Sequence, residues 1–291
     1  MLEKKSTIIV IANYNGKKYL QECLPSLRNQ DYKDFKVVIL DNGSSDGSVD
    51  WIRKDHPEVY LIDNRKNLGF SKANNVGIKL GLDAGYKYFV LLNQDTVVRK
   101  NFLDEGIKML DEEAGMCCPK ILYYSNKKIW YAGSPIFDNY LDFMRKNILE
   151  LLVDESVGKE DGPEFNEKKD VGYASGCSLF VKRAVFEKIG LFDERFFFNW
   201  EAKDLCKRAR DNGFRVMYSP DTVVLHNTPY IEETSNVIKK YFLSKTGYWQ
   251  ITGFLKYMRK HYGLPRTLLY IFKVPFDIPA ILLWYFRKKQ P

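Results

Sequence analysis

Four short polar clusters hold most of the side chains able to do chemistry, and each follows an apolar run. Asn13-Tyr14-Asn15-Gly16 follows the run at 7–11, and Asp41-Asn42-Gly43-Ser44-Ser45-Asp46-Gly47-Ser48 follows the run at 36–40. Asn67-Leu68-Gly69-Phe70 comes after 59–62, and Asn93-Gln94-Asp95-Thr96 after 88–92. An acid at the tip of a buried strand, with Gly and Ser behind it, can hold a base or ribose while the loop turns sharply. The same Asp-Asn-Gly text also makes an ordinary capped turn. Asp95 is placed to ligate a hard divalent cation that grips phosphate oxygens, or else to cap a strand-end turn. Asn74-Asn75 are poor choices for a packed helix, which favours a functional reason for them. Neither of the first two loops matches the phosphate-loop or dinucleotide fingerprints.

The elements that must position these clusters follow from periodicity. The four apolar runs are continuous, as buried parallel strands should be. Helix-length segments near 17–29, 46–54 and 71–84 alternate with them, which predicts right-handed βαβ units and a doubly wound sheet. In such a sheet ligands bind beyond the carboxyl ends of the strands, where the polar clusters lie. Residues 121–170 are less regular, and the charge-rich stretch 155–169 reads as an exposed loop. A strand at 178–181 precedes a helix at 201–212, whose end is marked by Asn212-Gly213. A strand resumes at 215–218. From 236 the pattern is helical, with breaks expected at Pro265, Pro275 and Pro279.

Composition narrows the class. Of 291 residues, 45% are hydrophobic and 28% charged, which excludes disordered, collagen-like and coiled-coil chains. No apolar run reaches the roughly 18 residues of a spanning helix, and Met1-Leu2-Glu3-Lys4-Lys5 is not followed by a signal-peptide core. Cys23, Cys117, Cys118, Cys177 and Cys206 form no zinc-ligand spacing. Their odd number fits a reducing compartment, and they read as buried small hydrophobes. These features predict a protein of the cytoplasmic side. Eleven of the 45 Lys/Arg lie after Glu233 but only one of the 37 acids, Asp277. A nearly neutral body with a strongly basic, aromatic tail points to a polyanionic partner.

Taken in order, the four clusters and Gly176-Cys177-Ser178 resemble glycosyltransferase family 2, most closely its rhamnosyltransferase-type branch, over residues 5–245. The resemblance implies a GT-A fold: a doubly wound mixed α/β sheet with a helical, basic C-terminal extension. Residues 1–235 would be the catalytic domain, with 1–120 its nucleotide-binding half and 121–235 its acceptor and catalytic half. Residues 236–291 would be a membrane-associating tail. The implied activity is inverting transfer from a nucleoside diphosphate sugar with Mn2+ or Mg2+. The expected donor is dTDP-rhamnose, with a UDP-sugar as the alternative. Donor contacts would come from Asn13, Asn15, Asp41, Asn67, Gly69, Asn74, Asn93, Gln94 and Lys245, and metal contacts from Asp95 and His226. Gly176, Cys177 and Trp200 would lie on the acceptor side. The usual Asp-x-Asp begins here with Asn93, leaving Asp95 as its acid.

Further along, Asn199-Trp200-Glu201-Ala202-Lys203-Asp204 resembles the family's Glu-Asp motif at a helix start, where the second acid is the general base. Ala202 stands at that position and has no proton acceptor. Glu201 and Asp204 remain as candidates, but helix neighbours point in different directions, so neither simply replaces it. The intact donor motifs favour a deliberately removed base over a natural inactive relative. Donor binding should survive while turnover largely fails. A non-catalytic nucleotide-sugar or glycan-binding relative is the rival reading. A nucleotidyltransferase would need a Gly-rich basic loop near the first strand, which is absent. Residues 264–291 mix Leu, Ile, Phe, Trp and Tyr with bases, as a helix in the headgroup plane of an anionic membrane does, a reading favoured over a helix packed on the catalytic domain or an oligomer contact. That predicts a lipid-linked glycan acceptor and a peripheral position on the cytoplasmic membrane face. No nucleic-acid motif accompanies the charge.

Overall fold

The computed structural model describes residues 5–137, 139–146, 151, 154–229 and 244–287. Strands β1 (Thr7–Asn13), β2 (Phe35–Asp41) and β4 (Tyr88–Leu92) bury almost every side chain. Covering on both faces is what an apolar run without alternation requires. β3 (Tyr60–Asp63) differs from expectation: it is the sheet edge and is only half-buried. Helices α1 (Lys17–Arg28), α2 (Ser48–Asp55) and α3 (Gly69–Asp83) connect these strands.

The second half adds β5 (Thr96–Val98), α4 (Phe102–Glu112), β6 (Met116–Tyr123), β7 (Ile129–Tyr131), α5 (Tyr140–Arg145) and β8 (Lys169–Asp170). β9 (Ser178–Lys182), α6 (Arg183–Ile189), α7 (Glu201–Asp211), β10 (Val216–His226) and α8 (Lys245–Arg287) complete it. The sheet runs β3-β2-β1-β4-β9-β6-β10-β5. β1 to β4 pair in parallel, whereas β9 lies antiparallel between β4 and β6, so the sheet is mixed. The strand order reverses between β1 and β4, which opens a crevice at their carboxyl ends. Two of the polar clusters flank that crevice.

β10 is longer than the apolar text around 216 indicates. Its register against β6 shifts between Ser219 and Val223, around a proline that cannot donate to the ladder. The resumed pairing sets His226 opposite Thr96 of β5, one residue from Asp95. The stretch 155–169 is not wholly exposed either. Phe165 is buried, and the buried Lys120 ammonium holds Asp161 at 2.7 Å and Asn166 at 2.6 Å.

The C-terminal helix departs from expectation at its breaks. It kinks at Gly263, whose φ of 82° suits a residue without Cβ, and continues through Pro275 and Pro279. Pro265 falls in the first turn after the kink, where a missing N–H costs little. The predicted helical residues 236–243, and Lys288 and Lys289, lie outside the described residues. Phe254, Tyr257 and Met258 of α8 pack with Phe196, Trp200 and Phe143 in a second apolar cluster, separate from the sheet core. Among the described residues no helix is long and apolar enough to cross a membrane.

Candidate donor and transfer site

At the β2 tip the Asp41 carboxylate is fully buried and accepts four hydrogen bonds. They come from the Gly43 and Ser44 amides, the Ser44 hydroxyl and Asn13 Nδ2, at 2.6–3.0 Å. Four acceptor positions are all that a carboxylate offers, so Asp41 acts on the crevice through the loop it ties. Asn15 zips the neighbouring loop to it: its amide donates to Ser44 Oγ and its Oδ1 accepts from the Ser45 amide, both at 2.8 Å. Asn13 Oδ1 is buried without a partner among the described residues.

Across the crevice, Gln94 clamps the first loop. Its Oε1 accepts from the Tyr14 amide at 2.8 Å and its Nε2 donates to the Tyr14 carbonyl at 3.2 Å. The Asn93 amide donates to the Cys177 carbonyl at 2.9 Å, which fixes the β4 tip against the 174–177 turn. Next to it, Asp95 Oδ1 stands 3.2 Å from His226 Nε2. The Asn227 amide donates to the Asp95 carbonyl at 2.7 Å, and Trp130 packs edge-on against the imidazole at 4.6 Å. The buried Nδ1 of His226 has no partner among the described residues.

A carboxylate oxygen and an imidazole nitrogen converging at the crevice make a donor pair suited to a divalent cation. Among the described residues no group of three or more His, Cys, Asp or Glu gathers. Further ligands would come from substrate phosphates and water, the usual manner of holding Mg2+. The residues fit the ion on those terms.

The α3 entrance joins donor loops to the transfer segment. Asn67 Oδ1 accepts from the Gly69 amide at 2.9 Å, and the Phe70 amide donates to the Phe197 carbonyl at 2.8 Å. Gly69 has φ of 76°, and a Cβ there would stand 2.7 Å from the Phe197 carbonyl oxygen, so only glycine permits this approach. Asn74 donates to the Phe70 carbonyl one turn back. Asn75 corrects the expectation of chemistry from the Asn pair. Its side chain donates to the Phe192 carbonyl and accepts from the Phe192 amide, a purely structural staple on the segment leading to α7.

That segment is strained where it meets α7: Asn199 and Trp200 both adopt left-handed φ, at 68° and 70°. Asn199 Nδ2, Trp200 Nε1 and Glu201 Oε2 are buried without partners among the described residues. Burial pushes the Glu201 carboxyl up to about 7. A Cβ placed on Gly176 would touch both the Phe70 ring and the Ala202 methyl, at 3.3 and 3.5 Å, so position 202 faces the wall between the 174–177 turn and the α3 entrance. Asp204 is fully buried and held by Lys260 at 2.7 Å, His261 at 2.8 Å and Arg208 at 2.9 Å. Burial alone would raise its pKa, but the bonds from His261, Arg208 and Lys260 keep it below the usual carboxylate range. A carboxylate held by two cations and an imidazole is a lock between α7 and α8, not a free base. Beside Trp200 a cavity of about 30 Å³ is lined by Tyr173, Asp154 and Lys203, whose ammonium lies over both the Trp200 and Tyr173 rings. Lys245, exposed at the first residue of α8, makes no bond to these groups. All five cysteines are free and buried, and burial drives Cys23 and Cys206 up to about 12 and about 11.

Three features had no clear signal in the sequence: the Trp130 contact on His226, the Phe70–Gly176–Ala202 wall, and the Lys260-His261 grip on Asp204. Only the last leaves a trace, as adjacent bases in a helical pattern.

With this geometry in view, the comparisons with known proteins agree. The pattern described as Glycosyl transferase family 2 matches residues 8–190, and the chain belongs to that family. It is 29% identical over 223 residues to the low-salt glycan biosynthesis hexosyltransferase Agl10 of Haloferax volcanii, covering 76% of this chain and 67% of that protein. It is 27% identical over 218 residues to the dTDP-rhamnosyl transferase RfbF of Shigella flexneri, covering 75% and 67%. An N-acetylglucosaminyl-diphospho-decaprenol L-rhamnosyltransferase of Mycobacterium tuberculosis is 25% identical, covering 75% of each chain. Among solved structures, S. aureus TarS in complex with UDP superposes with a TM-score of 0.55 at 17% identity, covering 90% of this chain and 73% of that one. The mannosyltransferase PcManGT of Pyrobaculum calidifontis, in complex with GDP-Man and Mn2+, gives 0.55 at 16%, covering 98% and 84%. The fold is GT-A, and the chain is a rhamnosyltransferase-like member of the family.

Proposed function

We propose that this glycosyltransferase moves rhamnose from dTDP-rhamnose, with inversion, to a glycan acceptor carried on a lipid at the cytoplasmic face of an anionic membrane. The Asp95–His226 pair at the crevice carries the reading, because a donor diphosphate reaching the β4 tip meets both side chains at once. Asp95 and His226 would hold Mn2+ or Mg2+, which when bound neutralises charge on the departing nucleoside diphosphate. The tied loops of Asn13, Asn15 and Asp41 would seat the nucleoside, and Gln94 would keep the Tyr14 loop closed over it. RfbF and the mycobacterial relative are rhamnosyltransferases, which supports rhamnose over other sugars. At position 202 a methyl group stands where a proton acceptor is needed, so transfer by this chain is slow.

The test is a transfer assay over dTDP-rhamnose and UDP-sugars, each with Mn2+ or Mg2+ and a lipid-linked acceptor. The reading expects dTDP-rhamnose to be consumed fastest. A UDP-sugar preference would replace the donor. A second reading, a binding protein without turnover, draws on the buried Ala202 and the locked Asp204. It expects saturable donor binding with neither hydrolysis nor transfer.

A further inference from the structure

The half of α8 beyond the Gly263 kink has two apolar faces. Thr267 and Tyr270 are buried against the body, and Val274 packs beside them. On the opposite side Leu264, Leu268, Leu269, Ile271, Phe272 and Phe276 are 44–83% exposed. At 3.6 residues per turn these six span an arc of roughly 160°, pointing away from the domain. Arg266 and Lys273 fall on one border of that arc. The Arg266 guanidinium lies over the Tyr140 ring, and the Lys273 ammonium donates to the Lys146 carbonyl at 3.1 Å. A surface helix normally turns its polar face to solvent, and so large a contiguous apolar face marks an interaction site.

We propose that this outer face, Leu264 to Phe276, lies in the headgroup plane of an anionic lipid bilayer, with the apolar side chains inserted and the bases at phosphate level. The inference deepens the membrane position proposed above by assigning it to one helix face. Charge selects lipid over a second copy of this chain. The stretch after Glu233 holds eleven bases and one acid, so a symmetric pair would set like charges against each other. The pattern suits an in-plane helix: a wide apolar face with a basic border and, among the described residues, no stretch both long and apolar enough to cross a membrane. The same helix is fastened to the transfer segment. Phe254 and Tyr257 pack on Trp200, and Lys260 and His261 grip Asp204. Insertion would therefore hold the acceptor side at a constant height over the bilayer.

The experiment is flotation of the full chain with vesicles of phosphatidylcholine alone, or mixed with phosphatidylglycerol, beside the F272S/F276S double variant. Both substituted residues are exposed, so folding should be unaffected, which a melting curve checks. The chain should float with the mixed vesicles, less so at high salt, and the variant should bind at least tenfold more weakly. Equal flotation of both forms, or none of either, overturns the proposal. So does a concentration-dependent dimer, seen by sedimentation, that the variant abolishes without any lipid binding. Nucleoside diphosphate binding, measured in parallel without vesicles, should be the same in both forms. Its loss in both would count against the donor reading rather than against this face.

Discussion

Replacing Glu201 with Gln removes a buried carboxyl that has one unpartnered oxygen and no cation beside it. Burial raises this group from an ordinary 4.5 to about 7, a shift worth about 3 kcal/mol at 1.36 kcal/mol per unit. The folded state thus keeps a proton that the unfolded chain releases. Stability falls as pH rises from about 4.5 to about 7, and the penalty is fully present above that. Gln cannot ionise and escapes the penalty. At pH 4, below both values, the two proteins should melt within about a degree of each other. At pH 8 the Glu201→Gln form should melt roughly 6–12 °C higher, at about 2–4 °C per kcal/mol for a large domain. Circular-dichroism melts of both forms across this range measure the difference. Any defect in seating the amide would displace the variant equally at every pH, so the reasoning stands on the slope. A difference that does not grow with pH would refute it.

Ala202→Asp should raise the sugar-transfer rate at least ~100-fold with little change in donor affinity, because a positioned base acts on the acceptor hydroxyl. The gain should fade at low pH as the new carboxyl protonates, and equal rates in side-by-side assays would reject position 202 as the base. Asp204→Ala should cost about 3–5 kcal/mol in urea unfolding, since it leaves Arg208, Lys260 and His261 facing one another without their shared anion. A loss below 1 kcal/mol would mean that the lock between α7 and α8 is not structural.

The parallel half of the sheet was legible because its strands are continuous apolar runs and its loops are punctuated by Asn, Asp and Gly. Residues 88–92 form β4 as expected, and the helix end at Asn212-Gly213 follows from the φ of 83° that Gly213 adopts. Much of the second half was not legible. β5 is three residues long, β8 is two, and β10 crosses a proline with a register shift, so none has a clean period. β3 reads as apolar as the central strands, since an edge position is set by topology, not by the run itself. Within the site, the family resemblance put Asp95 and His226 at one metal, but the strand pairing that brings them together, β10 antiparallel to β5, had no signal in the sequence. Asn75 misled because a side chain that staples two backbones looks, as text, like one reserved for a ligand. Asp204 was open to reinterpretation for the opposite reason: its three partners, Arg208, Lys260 and His261, come from two helices, and only Arg208 lies at the helical i+4 spacing.

Calorimetric titration of dTDP into the full chain, with and without Mn2+, tests the donor site most directly. Binding should require the metal, and both Asp95→Ala and His226→Ala should weaken it at least ~10-fold. Metal-independent binding with unchanged affinity in both variants would contradict the account.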